Sequence, residues 1–311
     1  MTRIKVTVPA SAANLGPGFD TLGLALSLYN EILLEEDDRV TVMIEGEGAH
    51  SLDRSRENVV VRGALAVYET AGRPFRGLNV SMKNQIPPSR GLGSSAAAWL
   101  GGIIGANALL GAPLEAEEVL TLAARKEGHP DNVAAAFLGG LTVSCWNDDR
   151  VEAVKLSVSS TLSWVVFVPE VTGSTAEARA ILPERVSRAD AVFNVSRACL
   201  LLAALERGRV DLLPLAMDDR LHQPYRRRLF PWMDAVMAAA RAAGALGSVL
   251  SGAGPSILSV VNGNPEPVRR AINDALPSLC LAGKAEVIAV DQVGARSEPE
   301  LARPTPRGRE T

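Results

Sequence analysis

The chain has 311 residues, 47% of them hydrophobic, and its charge is nearly balanced, 32 Lys+Arg against 35 Asp+Glu. A length of this order corresponds to one large or two ordinary domains, with a core that needs no disulfide staples, so general disorder is excluded. The lack of a basic excess argues against a nucleic-acid or anionic-membrane partner.

Residues 1–19 contain no long apolar run, so no export signal is read. Residues 4–8, 40–46 and 78–83 alternate apolar and polar side chains and are rich in β-branched residues, which predicts strands. Residues 58–71 have helical spacing and stop at Gly72. No charged residue lies between Arg90 and Glu115, a span long enough to cross a bilayer. Its content, however, is glycine, alanine and serine with Asn107, which predicts a tightly packed core helix rather than a membrane span. Residues 113–126 begin with proline and acids and end in basic residues before Gly128, the polarity expected of a helix.

Residues 139–146 and 151–156 read as a hairpin about the turn at 147–149. Beyond it, strands are expected at 162–168, 247–250, 256–261 and 285–290, with helices at 188–206, 232–243 and 267–275. That alternation is the signature of an α+β sandwich. A domain boundary is expected near residue 158, giving domains at 1–158 and 159–293, with 294–311 a disordered tail because it has little to bury. Cys145, Cys199 and Cys280 are odd in number and widely spaced, so a reducing, cytoplasmic setting is expected.

The strongest chemical signal is PPSRGLGSSAA at 87–97, a Gly/Ser loop running into an alanine-rich helix. Gly91 and Gly93 let the backbone approach an anion, the first-turn amides and helix dipole attract it, and Ser94 and Ser95 add hydroxyls for phosphate or magnesium. The loop lacks the GK[ST] of a Walker A motif. Two alternatives stand beside this reading. One is a tight strand-to-helix turn capped by serine. The other is a dinucleotide fingerprint, since GLGSSA fits GxGxxG/A, although Pro-Pro-Ser-Arg separates it from its strand.

Residues 8–20 (VPASAANLGPGFD) place Asn14 and Asp20 in a loop after a strand; the carboxylate suits a cationic substrate group, and an Asx turn is the alternative. Residues 127–133 (EGHPDNV) gather Glu127, His129, Asp131 and Asn132 where one helix ends and another begins. A capping role for Asp131 or Asn132 with His129 on the surface is the plain reading there. With only three histidines a His-rich metal site is excluded, whereas a Glu beside a phosphate loop is a fitting magnesium partner. LSGAGPS at 250–256 reads equally well as a simple hairpin turn.

Taken in order, PASAANLGPGFD, PPSRGLGSSAA, EGHPDNVAAAFLGG and LSGAGPS resemble the motifs of the GHMP kinase superfamily over nearly the whole chain. The first and third resemble its homoserine kinase branch in particular, as do 174–183 (STAEARAILP) and 222–226 (HQPYR). The resemblance implies an α+β, two-domain GHMP kinase fold: an N-terminal domain like domain 2 of ribosomal protein S5, a ferredoxin-like C-terminal domain, and an active site between them.

It also implies ATP and Mg2+ as cofactors. Pro88, Ser89, Arg90, Gly91, Leu92, Gly93, Ser94, Ser95 and Ala96 would wrap the phosphates, Asn58 would lie near the adenine, and Ser94 or Ser95 with Glu127 would hold the metal. Asp20 would bind the amino group of L-homoserine and Arg179 and Arg226 its carboxylate, with Asn14, Thr175, His129 and Asp131 around them. Arg227 and Arg228 are read as surface ion-pair residues. The catalytic set would be Asn132, Glu127 and Ser95, but Asn132 is an amide where other members use an Asp base, so catalysis would rest on positioning. The implied activity is phosphorylation of the homoserine hydroxyl on the route to threonine, by a homodimer without nucleic-acid or membrane partners. Another small alcohol as substrate, or a regulator without turnover, are the rival readings.

Overall fold

The computed structural model describes residues 2–300. A seven-stranded sheet contains β1 (Arg3–Ala13), β2 (Leu22–Glu36), β3 (Val40–Gly46), β4 (Leu78–Asn84), β5 (Leu141–Asn147), β6 (Arg150–Leu156) and β11 (Arg296–Glu300). Its order is β11-β1-β2-β4-β3, with β5 pairing to both β2 and β6. Only β3 and β4 run parallel. Alternate residues Ile4, Val6, Val8, Ala10 and Ala12 of β1 turn into the core, as do Leu22, Leu24, Leu26, Ile32 and Leu34 of β2. Pro9 lies opposite Tyr29 but Ala10 opposite Leu26, a bulge that leaves two extra residues in β2 and so keeps its even positions on the core face. That strand is absent from the sequence reading, because its leucine- and glutamate-rich sequence also suits a helix.

Helices α1 (Val59–Thr70), α2 (Ser94–Leu109), α3 (Ala116–Glu127) and α4 (Asp131–Leu138) accompany this sheet. The uncharged stretch is indeed a core helix: Ala96, Ala97, Leu100, Ile103 and Ala106 of α2 are fully buried. Among the described residues no helix is long and apolar enough to cross a membrane.

The second sheet has β7 (Leu162–Pro169), β8 (Gly247–Leu250), β9 (Ile257–Asn262) and β10 (Gly283–Ile288), all antiparallel in the order β10-β7-β9-β8. Fourth, first, third, second is the ferredoxin-like arrangement. The two-residue period of β7 divides its side chains between two cores. Trp164 and Val166 join the core of the first sheet, whereas Val165 and Phe167 pack with residues of α9 (Met233–Ala242) and α10 (Glu266–Ala275). Between β7 and α9 run α5 (Thr175–Ala180), α6 (Arg188–Arg207), α7 (Leu213–Ala216) and α8 (Gln223–Arg226). Of these only α6 is long enough to leave a periodic signal. Residue 158 falls in the link between β6 and β7.

One expectation needs correction. The stretch from 294 is not structureless throughout, because β11 pairs antiparallel with β1 from Arg3↔Glu300 to Thr7↔Arg296. All five β11 residues are exposed, so the strand is held by backbone pairing and carries no hydrophobic period to read. Proline is tolerated in it because it lies at the sheet edge. The remainder of the expected tail, 301–311, lies outside the described residues.

Candidate active site

The four glycine- or polar-rich motifs meet at one place. Gly93, with φ +71°, precedes α2, and no side chain caps that helix. Its first-turn amides are therefore available to an anion, and the capped-turn alternative does not apply. Only glycine fits here: a Cβ on Gly93 would lie 2.1 Å from Ser11 Oγ, and one on Gly91 2.3 Å from the Ser251 carbonyl. The LSGAGPS segment is more than a hairpin turn, since it clamps the other motifs. Ser251 Oγ donates to the Gly91 carbonyl at 2.6 Å, the Gly252 amide to Ala13 at 3.1 Å, and Asn14 Nδ2 to the Gly252 carbonyl at 2.8 Å. Arg90 reaches the end of β7, donating Nε to the Pro169 carbonyl at 2.8 Å.

A cavity of about 560 Å³ opens beside the loop. Asn14, Asp20, Ser89, Arg90, Gly91, Gly93, Ser94, Ser95, Glu127, His129, Asp131, Asn132, Thr175, Arg179 and Arg226 all line it. A second cavity of about 210 Å³ adjoins it, sharing Ser89, Ser94 and Ser95 and adding Asn58 and Pro88. Leu92 and Ala96 line neither; both are buried beneath the loop.

The polar groups of the larger cavity are tightly organised. Ser95 Oγ donates to Glu127 Oε2 at 2.6 Å. Burial pushes the Glu127 carboxyl up, against the opposing Ser95 hydrogen bond. His129 Nδ1 lies 2.7 Å from Asp131 Oδ1, and Nε2 is 4.0 Å from Glu127. Burial works against the charged imidazole, yet the Asp131 bond and the surrounding carboxylates outweigh it and raise its pKa. His129 is thus a cavity residue rather than a surface one. Asp131 is the first residue of α4, with Pro130 as cap. Ser11 Oγ donates to Asn132 Oδ1 at 3.0 Å, leaving the donor end of that amide for the cavity.

Asp20 makes no Asx turn; its carboxylate takes two bonds from Arg179, at 2.9 and 2.7 Å, which raise the Arg179 pKa. Its position is set by Asn14 Oδ1, which accepts the Asp20 amide at 2.9 Å. Arg226 is 1% exposed and has no carboxylate within ion-pair distance among the described residues. Its Nη1 donates to His222 Nδ1 at 2.9 Å and the Gly252 carbonyl at 3.0 Å, and its Nε to Ala178 at 3.2 Å. Burial first, then repulsion from Arg179, lowers its pKa to about 10. Arg227, by contrast, pairs with Asp234 on the surface.

Several contributors escaped the sequence reading. Phe19 stacks on His222 with centroids 5.3 Å apart, and both cavity arginines lie over its ring at 5.7 and 5.4 Å. Asp219 accepts the amides of Leu221, His222 and Gln223 and so fixes the segment that carries Arg226. Locally Asp219 reads as an ordinary cap of the short helix α8, and its remaining partner, Asn194 Nδ2 at 2.8 Å, comes from α6.

The residues fit a nucleoside triphosphate: an uncapped helix start behind two glycines, with a small cavity on one side and a polar one on the other. A magnesium ion, which takes one or two protein oxygens and completes its shell from phosphate and water, would be held by Glu127 with Ser95. Among the described residues no cluster of three His, Cys, Asp or Glu could hold a metal by itself.

Residues 58–140 match the model of the GHMP kinase N-terminal domain and 201–278 that of the GHMP kinase C-terminal domain. The homoserine kinase of Moorella thermoacetica is 49% identical over 86% of this chain and 90% of that protein. That of Caldicellulosiruptor bescii is 43% identical over 94% and 96%. The crystal structure of homoserine kinase from Cytophaga hutchinsonii superposes with a TM-score of 0.85 at 32% identity, covering 95% of this chain and 97% of that one. The chain belongs to the homoserine kinase family of the GHMP kinases.

Proposed function

We propose that the chain transfers the γ-phosphoryl group of ATP to the side-chain hydroxyl of L-homoserine, giving O-phospho-L-homoserine, ADP and a proton, on the route to threonine. The observation that carries this reading is the placement of one carboxylate and two guanidinium groups, Asp20, Arg179 and Arg226, in the cavity that the Gly/Ser loop borders. A free amino acid needs both signs of charge, and a neutral sugar needs neither. Its ammonium group takes Asp20 and its carboxylate the arginine forks. The uncapped amides of α2 with Ser94 and Ser95 hold the phosphates.

In this reading no side chain acts as base, and catalysis rests on positioning. The residues align the hydroxyl with the γ-phosphorus and stabilise charge spread over its oxygens. Magnesium, held through Glu127 and Ser95, would neutralise phosphate charge. ADP release by the purified protein with ATP, magnesium and L-homoserine, L-serine, mevalonate or galactose tests the reading. Selective stimulation by homoserine is expected. Stimulation by mevalonate or galactose alone assigns another alcohol, and nucleotide binding without turnover on any of them assigns a regulator.

The division near residue 158 and a cytoplasmic setting belong to the same proposal, supported by the two separate sheets and by three free, exposed cysteines. So does a homodimer. Exposed Val192, Val195 and Cys199 form one stripe on α6. Arg188 and Glu206 flank it about five turns apart, so antiparallel self-pairing aligns unlike charges. Sedimentation at graded concentrations tests it.

A further inference from the structure

Arg90 belongs to the Gly/Ser loop, between β4 and α2, but its guanidinium is engaged by the second sheet. Nε donates to the Pro169 carbonyl at 2.8 Å and Nη2 to the Glu170 carbonyl at 2.5 Å, where β7 ends. Nη1 donates to the Pro88 carbonyl at 3.1 Å. All three nitrogens therefore serve neutral backbone acceptors, and at most two N–H groups remain for any other partner. Two carbonyls of consecutive residues are met by one planar fork, a geometry that a lysine cannot reproduce.

The segment that leaves β7 is fastened to the loop at a second point, since the carbonyl of Ser89, a residue at φ +57°, accepts the Gly173 amide at 2.8 Å. A Cβ on Gly173 would lie 2.9 Å from Pro255 Cδ, so the segment passes closely between the loop and LSGAGPS. It then enters α5, whose six residues bury only one side chain, Ala178. A helix with so little packing takes its position from the chain leading into it. Two substrate-facing guanidiniums depend on that position: Arg179 is carried by α5, and Arg226 Nε donates to the Ala178 carbonyl at 3.2 Å.

We infer that Arg90 is a positioning residue for the amino-acid half of the site, not a phosphate ligand. By holding Pro169 and Glu170 it sets where α5 presents Thr175 and Arg179 to the larger cavity. The inference rests on the reading of that cavity as the homoserine seat. Small displacements of groups that orient a substrate cost binding and rate steeply. The anion seat at the start of α2, in contrast, is made by backbone amides that need no side chain from Arg90.

The test compares Arg90→Ala and Arg90→Lys with the wild type in steady-state turnover, in thermal unfolding and in calorimetric titration with ADP and magnesium. Both variants are expected to raise the homoserine KM about fivefold or more while ADP affinity stays within about twofold. A phosphate ligand behaves differently, because lysine also binds phosphate, as a point charge. Loss of ADP affinity by about tenfold in Arg90→Ala and its recovery in Arg90→Lys would overturn the proposal. An unchanged homoserine KM in both variants overturns it as well, and a fall in melting temperature in that case makes the clasp structural only. Should Arg90→Ala fail to fold, Arg90→Lys decides alone, since it keeps the charge and loses the fork. If the wild type shows no turnover with homoserine, the underlying reading of the cavity fails, and this proposal falls with it.

Discussion

Asp20 and Arg179 close on each other through two parallel hydrogen bonds, joining the loop after β1 to helix α5 across the larger cavity. In the proposed reaction a zwitterionic amino acid exchanges this contact for two of its own, ammonium to Asp20 and carboxylate to Arg179. Both side chains are more than a third exposed, so the pair itself contributes little stability, about 0–1 kcal/mol. Asp20→Asn is therefore expected to leave the melting temperature nearly unchanged while raising the homoserine KM about tenfold or more. A large loss of stability with an unchanged KM would make the pair structural.

Arg226 is a buried guanidinium whose protein partners are neutral. Arg226→Lys keeps a charge but loses the planar fork. The KM for homoserine should rise by roughly 10–100-fold and the KM for ATP by no more than about twofold. Equal effects on the two substrates would refute the carboxylate assignment.

Glu127 and Ser95 are bonded to each other and border the phosphate loop. Glu127→Gln should shift half-maximal activity to higher magnesium concentration and lower kcat, with Ser95→Ala acting in the same direction more weakly. Magnesium titration curves that coincide with wild type in both variants would exclude them as ligands.

Gly93→Ala places a methyl carbon 2.1 Å from Ser11 Oγ, in a left-handed backbone conformation. The expected loss is about 2–4 kcal/mol of stability. Denaturant unfolding of Gly93→Ala, Ser11→Ala and the double variant measures the steric part. Removing the hydroxyl should recover some of the loss, and strictly additive losses would show that the two positions do not collide.

His222 is fully buried, and burial lowers its pKa from 6.5 to about 4. Its Nδ1 accepts from Arg226 and its Nε2 lies 2.8 Å from the Gly16 carbonyl, as a neutral ring allows. Between the two pKa values the unfolded chain binds the extra proton, so stability falls as the pH drops from about 6.5 toward about 4. The contribution lost over that window is on the order of 3 kcal/mol. His222→Gln should show a shallower loss of stability on acidification when unfolding is followed across the same range. Parallel curves for the two proteins would assign the acid sensitivity elsewhere.

The core elements were legible wherever one periodicity ran unbroken. Helix α6 shows this, since it has a single face to bury. Strand β2 was hidden because its leucine- and glutamate-rich sequence also suits a helix and because Leu22 to Leu26 is buried on both faces, which leaves no polar alternation there. The loop motifs of the site were visible because each concentrates glycine and polar residues within a few positions. Asp219 was not, because locally it reads as an ordinary helix cap, and its tie to the site runs through Asn194, 25 positions away, whose Nδ2 also donates to the Pro17 carbonyl.

Strand β11 lies on the outer edge of β1, although nearly the whole chain separates them. During synthesis, β1 can pair with β2 early, but its other edge stays without a partner until Arg296–Glu300 has left the ribosome. The ferredoxin-like half is therefore spliced into the first sheet, tethered at both ends, rather than appended to it. A chain shortened before Arg296 would expose a row of unpaired amides and carbonyls on β1, a template on which other strands can add.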